Sequence, residues 1–333
     1  MWKSLAPLLI ALAAPVSAAE VAVQPGAGTL ATAIAGATPG DVLTLTDGLY
    51  AGPITIDRTL TLSGTPGTVI DGGHKGTVVT ITGDDVVLRG LTVTGSGGVN
   101  ANLDSGIKII KGADRSLIEN NRLTDNMHGI DVHGGLDSVV RNNVIEGRQN
   151  TRMNERGNGI YIWNAPGTVV EGNSVRWGRD GIFSNASRKG TYRNNLFRDL
   201  RFAVHYMYTH DSEVSGNISI GNHLGFAIMY SNRVIVADNL SLGDREHGVM
   251  LNYANNADVH DNLVRGGTKK CTFIYNAHKN LIYRNRFEGC GIGIHFTAGS
   301  ERNVLTENAF IGNREQVKYV GTKHIEWSFE GRG

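Results

Sequence analysis

An all-β chain wound as a parallel β-helix, a solenoid of roughly 22-residue coils, is what this sequence predicts, on three observations. Asn121, Asn143, Asn173, Asn195, Asn217, Asn239, Asn262, Asn285 and Asn308 are spaced 22, 30, 22, 22, 22, 23, 23 and 23 residues apart. Fourteen residues before several of these rungs stands a glycine followed by alternating apolar positions: Gly129-Ile130-Asp131-Val132, Gly159-Ile160-Tyr161-Ile162, Gly181-Ile182-Phe183 and Gly248-Val249-Met250-Leu251. Glycine, 44 of 333 residues, is about twice its usual share, as a stack with tight corners in every coil requires.

The elements follow in chain order. Residues 1–19 read as a signal peptide, with Lys3, an apolar run over 5–14 and the small-residue site Val16-Ser17-Ala18-Ala19. That run is shorter than the roughly 20 residues a membrane span needs, so the remainder, 20–333, is expected to be one exported, periplasmic domain. Residues 29–37 form the one good short helix pattern, with Leu30, Ala33 and Ile34 on one face and Pro39-Gly40 beyond it, placed to cap the open end of the stack. Alternating strands then begin at Val42-Leu43-Thr44-Leu45 and recur at Ile54-Thr55-Ile56, Leu60-Thr61-Leu62, Val78-Val79-Thr80-Ile81, Val86-Val87-Leu88 and Leu91-Thr92-Val93. In the later coils the Asn rungs are structural: asparagine tolerates a left-handed corner, and amides stacked about 4.8 Å apart can bond one another along the axis.

Two interruptions break the period. One lies between Gly95 and Ser105; the other stretches 22 residues to 30 and places about eight extra residues near 148–157, with the polar run Arg152, Met153, Asn154, Glu155, Arg156. A loop on a rigid scaffold is a natural place for partner contacts. Alternation also predicts two outward columns, Asp131, Tyr161, Phe183, His205, Ala227, Met250, Phe273, His295 and His133, Trp163, Asn185, Met207, Met229, Asn252, Tyr275, Thr297. This face is aromatic and rich in Met and His yet nearly free of Lys, Glu and Arg, the composition of a binding surface. Tyr161, Trp163, Phe183 and Tyr275 are its expected partner contacts. Thioether and imidazole groups suit Cu(I), which makes His205, Met207, Met229, Met250, His133 and His295 the candidate ligands. Cys271 and Cys290, 19 residues apart, are expected at neighbouring levels, where export permits a disulfide, with buried thiols or metal ligation as the other readings. Lys plus Arg number 32 and Asp plus Glu 31, so no global charge draws this chain to nucleic acid or to an anionic membrane.

Five segments together are specific: residues 152–159, Arg201-Phe202-Ala203-Val204-His205-Tyr206-Met207-Tyr208, Cys271-Thr272-Phe273-Ile274-Tyr275-Asn276-Ala277, residues 293–303 and Gln316-Val317-Lys318-Tyr319-Val320-Gly321. In these the chain resembles the NosD family, maturation factors of nitrous oxide reductase, over essentially all of its length after the signal peptide. The resemblance implies a right-handed parallel β-helix without enzymatic activity or organic cofactor. It implies partnership with an ABC ATPase and permease (NosF and NosY) through which alone the chain meets the membrane, copper passed on by the lipoprotein chaperone NosL, and service to the copper–sulfide site of nitrous oxide reductase. The family continues beyond the point where this chain stops, at Gly331-Arg332-Gly333, so the C-terminus is expected to be shortened. The rival reading from the fold is an exported polysaccharide lyase or epimerase, with Asp131, His133, Asp180 and His205 for acid–base work. No Asp-Pro-His-Asp signature or dense Asp cluster accompanies them.

Overall fold

A computed structural model describes residues 18–266, 269–322 and the strand Ile325–Ser328. The signal-peptide reading of residues 1–19 therefore lies outside the described residues except for its last two, and so does the chain end at 329–333. The chain is a right-handed parallel β-helix whose three sheets hold 14, 12 and 12 strands, every neighbouring pair parallel and one coil apart in sequence. Helix Thr29–Gly36 covers the first coils with Leu30 and Ile34 buried and Ala33 packed on the core.

Each coil carries three strands where two patterns were legible. The extra one, such as Val139–Arg141 or Val169–Glu171, is three residues long and ends just before the Asn rung, too short to show alternation. The corner conformation also differs in detail. The left-handed residue is the one before the rung (Asn120, Asn142, Asn194, Asp238, Asp261), with φ between 54° and 57°. The rung itself is buried and spends its amide on the stack. Asn195 Nδ2 donates to Val170 O at 3.0 Å and to Asn217 Oδ1 at 2.9 Å, while its Oδ1 accepts from the backbone N–H and the Nδ2 of Asn173, each at 2.9 Å. The same pattern runs from Asn121 to Asn308.

A second, shorter ladder occupies another corner. Leu200 N–H donates to Asn222 Oδ1 at 2.8 Å, and Asn222 N–H donates to Asp244 Oδ1 at 2.9 Å, so a carboxylate stands where an amide would serve. Burial pushes Asp244 up to about 6, against the hydrogen bonds from Ser241, Ser219 and Asn222. A carboxyl whose folded pKa is raised from 3.8 contributes stability below about pH 4 that is lost as pH climbs through about 6. Asp244→Asn should therefore raise the unfolding free energy from urea denaturation at pH 7.5, by at most about 3 kcal/mol, and change it little at pH 4. An equal gain at both pH values would contradict this.

Cys271 and Cys290 are joined in a disulfide, Cα–Cα 5.7 Å, linking the strand Lys270–Tyr275 to the turn before the strand Ile292–Thr297. Oxidation at this point matches an oxidising compartment.

The two interruptions are pinned to the stack and to each other. Arg148 donates to Ser96 O at 2.6 Å, Gly97 O at 3.0 Å and Asp125 Oδ1 at 2.9 Å, and Arg156 donates to Thr151 O and Trp177 O. At Gly157 the insertion dips so close that a Cβ would lie 1.8 Å from Met127 O. Gly157→Ala should displace the insertion, seen as faster proteolysis between residues 148 and 157 with the rest of the rod intact; unchanged cleavage would show that the segment is anchored without it.

Candidate functional site

The face that concerns function belongs to the sheet containing the strands Ser105–Ile110, His128–His133, Ile160–Trp163, Asp180–Asn185, Phe202–Met207, Leu224–Met229, His247–Asn252, Lys270–Tyr275, Ile292–Thr297 and Glu315–Val320. Its register stacks Asp131, Tyr161, Phe183, His205, Ala227, Met250, Phe273 and His295 in one column. His133, Trp163, Asn185, Met207, Met229, Asn252, Tyr275 and Thr297 form the second column in the same pairings. A third outward column, Asp180, Phe202, Leu224, His247, Lys270 and Ile292, escaped the sequence reading. It is hidden by the glycine that follows it: a Cβ on Gly181 would meet the Phe197 ring at 2.4 Å, so two successive residues face inward and strict alternation fails.

The face is less open than its composition suggests. Asp131, Tyr161, His205 and Ala227 are buried. The stretch 96–104 stands over its lower part, with Asn100 Oδ1 2.9 Å from His128 Nε2 and Lys108 Nζ reaching Asn102 O. The insertion stands over its middle, where Met153 and Asn154 share a cleft of about 630 Å³ with Arg201, Phe202, His223 and Lys269. Arg152 and Glu155 are exposed to solvent and Arg156 is half-buried.

In the lower zone Asp131 is fully buried, 3.2 Å from Lys108 Nζ and 3.6 Å from His133 Nδ1. His133 stacks on Trp163 at 4.3 Å, and Tyr161 stacks on Phe183 at 5.3 Å. His128, with both ring nitrogens engaged, is driven down to about 4 by burial.

The central zone holds a buried triad. Arg201 grips Asp180 with two hydrogen bonds, Nε–Oδ1 at 2.8 Å and Nη2–Oδ2 at 2.6 Å, and His205 Nδ1 lies 3.0 Å from Asp180 Oδ2. Burial pushes the Asp180 carboxyl up, but the hydrogen bonds from His205 and Arg201 outweigh it and hold the group below its usual range. Asp180 Oδ2 is placed to accept a hydrogen bond from His205 Nδ1–H, the tautomer in which Nε2 carries the lone pair. That nitrogen is buried and has no hydrogen-bond partner among the described residues. The ring is clamped by Phe183 at 4.8 Å and Phe202 at 5.0 Å. Two residues further along the strand is Met207, paired with Met229 on the next; Met250 stands beyond the small Ala227.

In the upper zone burial, and then Lys270 and Lys318, lower His295, whose two ring nitrogens also lack partners. Lys270 lies 3.6 Å over the Phe273 ring. The six candidate copper ligands thus do not share one place. His133 is three strands below Met207, and His295 four strands above His205, about 14 and 19 Å at the usual strand spacing. His205, Met207 and Met229 are neighbours. Among the described residues no group of three or more His, Cys, Asp or Glu side chains is placed to hold a metal ion.

Sequence reasoning also passed over Tyr208, Tyr230 and Tyr253, which stack on one another beside Met207 and Met229. Their spacing of 22 and 23, identical to the Asn period, was the available signal.

The model of a family described as "Periplasmic copper-binding protein (NosD)" matches residues 141–332. The chain is 36% identical over 300 residues to a "Probable ABC transporter binding protein NosD" of Stutzerimonas stutzeri, covering 86% of this chain and 69% of that one. It is 36% identical over 302 residues to the protein of the same description in Pseudomonas aeruginosa, covering 87% and 71%. Among solved structures an alginate lyase in complex with G6 superposes with a TM-score of 0.72 over 95% of this chain and 86% of the other, at 14% identity, a likeness of fold. No helix among the described residues is long and apolar enough to cross a membrane. The chain belongs to the NosD family of periplasmic copper-binding proteins.

Proposed function

We propose that this protein is a periplasmic accessory that takes up Cu(I) and passes it on during maturation of the copper–sulfide site of nitrous oxide reductase, working with an ABC permease and ATPase (NosY, NosF) and the copper chaperone NosL. Family membership and the relatives' description as ABC transporter binding proteins support the setting. The observation that carries the chemistry is the buried Nε2 of His205, without a partner among the described residues, in a ring oriented by Asp180 two residues before Met207, whose cross-strand neighbour is Met229. A carboxylate behind the distal nitrogen is how proteins fix the tautomer of a metal-bound imidazole. Imidazole and thioether donors are neutral and suit soft Cu(I). With both cysteines in a disulfide, no thiolate is present to trap the ion. A neutral ligand set that binds Cu(I) without neutralising it fits hand-over better than storage. His205, Met207 and Met229 are the proposed ligands, Met250 a flanking one, and His133 and His295 positions on an approach along the face. The insertion, Arg152 to Arg156, together with Tyr161, Trp163, Phe183 and Tyr275, is assigned to partner contact.

Anaerobic titration of the full chain against a chromophoric Cu(I) chelator should show one tightly bound ion. Affinity should fall at least tenfold in His205→Ala and in the double variant Met207→Leu with Met229→Leu, but stay within twofold in His133→Ala. Absence of Cu(I) uptake by the wild-type chain, or equal uptake by the variants, would remove the metal role.

The lyase or epimerase reading draws less support from the geometry. Asp131 and Asp180, the carboxylates it would use, are buried and engaged by Lys108 and by Arg201. A polymer would meet aromatic rings and thioethers instead. Incubation with alginate and pectate is expected to leave both unchanged.

A further inference from the structure

Tyr208, Tyr230 and Tyr253 occupy the same corner of three successive coils, directly after Met207, Met229 and Asn252, and Tyr275 ends the next strand beside them. The ring centroids are 5.2, 5.0 and 5.9 Å apart in order. The four side chains are 50%, 36%, 39% and 38% exposed, and none of their hydroxyls has a hydrogen-bond partner among the described residues. The three corner tyrosines have φ of 52°, 50° and 51°, a left-handed conformation that bulky side chains rarely adopt. The same corner in other coils holds Gly134, Asn164, Ala186, Asn276 or Ala298, which fold there without a ring. Three unfavourable backbone positions, each costing on the order of 1 kcal/mol, thus present a stripe of rings that packs on itself and not on the core.

We propose that this stripe is the docking surface for a Cu(I)-carrying protein and that it aligns that protein's metal with Met207 and Met229; the proposal rests on the copper-transfer reading above. Direct transfer of an ion requires the donor's ligands to come within bonding distance of the acceptor's, so a donor facing Met207 and Met229 must also cover the rings next to them in the chain. The stripe has the composition of an interface hot spot: tyrosines already ordered by mutual stacking, with free hydroxyls, which lose little side-chain entropy on binding. Its rim is polar, with the Asp211–Arg233 ion pair three residues beyond the corner. At roughly 150–250 Å² per aromatic side chain, the exposed part amounts to on the order of 350 Å². A stable complex needs about 800 Å² from each partner, so the stripe and the Met row beside it suit a transient visitor and fall short of a permanent subunit.

The test is a triple variant, Tyr208→Asn, Tyr230→Asn and Tyr253→Asn, which installs the residue the fold already uses at positions 164 and 276. Cu(I) uptake by the full chain is followed anaerobically from two donors, the Cu(I)-loaded copper chaperone in detergent and the Cu(I)–bicinchoninate complex. Transfer from the protein donor should slow at least tenfold, with transfer from the small complex and the equilibrium affinity within twofold of wild type. Protein-donor transfer at the wild-type rate, or equal slowing from both donors, would overturn the docking role while leaving copper binding intact. A wild-type chain that took copper from neither donor would instead overturn the copper reading and this proposal with it. A sedimentation-detected dimer abolished in the triple variant would assign the stripe to a second copy of the chain and overturn the proposal.

Discussion

Asp180→Ala is expected to destabilise the chain by about 3–5 kcal/mol and to weaken Cu(I) binding at least tenfold. The carboxylate is 1% exposed, and its removal strands the largely buried Arg201 guanidinium with no counter-charge, the situation in which a broken ion pair costs most. It also frees the His205 ring, whose Nδ1 proton then has no fixed acceptor. Stability and copper binding can be separated with the double variant Asp180→Leu with Arg201→Met. Replacing both partners by apolar groups of similar volume is often neutral for a buried pair, so the urea midpoint should largely recover. The copper affinity should not, because nothing then orients the imidazole. Wild-type Cu(I) affinity in Asp180→Ala would show that His205 is held by its aromatic neighbours alone.

Asn195→Ala should be of similar size, about 3–5 kcal/mol, for a different reason. The substitution strands the buried Asn173 N–H, which costs about 1–3 kcal/mol, and also removes the hydrogen bonds from Asn195 to Val170 O and Asn217 Oδ1 and from Asn173 Nδ2, which keeps Val140 O and Glu171 O, at about 0.5–1.5 kcal/mol each. Asn308→Ala should cost less, since this last rung is half-buried and water can reach its place to serve the Asn285 N–H and the Ile282 carbonyl that it bonds. Urea denaturation of the two variants side by side measures the difference. Equal costs would mean that the ladder is replaceable by water at any level.

Much of this molecule was legible because its period is written by buried groups. The Asn spacing sets the register of each coil, and that register places Met207 beside Met229 and His205 in the adjacent column. Three things resisted. The strands of three residues carry no alternation to read. The outward position of Asp180 lies behind a glycine that faces the core, so its pairing with Arg201, 21 residues on, did not emerge from alternation. The closure of the face depends on contacts distant in sequence, such as Arg148 to Ser96 across 52 residues, which no local pattern encodes. The tyrosine stripe was missed for the opposite reason. Its spacing was plain, but left-handed corners call for Gly or Asn, and a reader guided by propensity does not look for Tyr there.

The insertion tethered by Arg148 has a mechanical consequence. In a stack where every coil leans only on its neighbours, opening starts at the ends and moves inward one coil at a time. The Arg148 bonds to Ser96, Gly97 and Asp125 span that order, splicing the level of residues 96–97 to the level of 148. A fray advancing from the N-terminal end must break this splice before it can reach the coil of Asp180. Amide exchange should accordingly be fastest at the N-terminal end, slow gradually towards residue 95 and then drop abruptly, so that the coils of Asp180 and His205 sit behind a stop against unzipping.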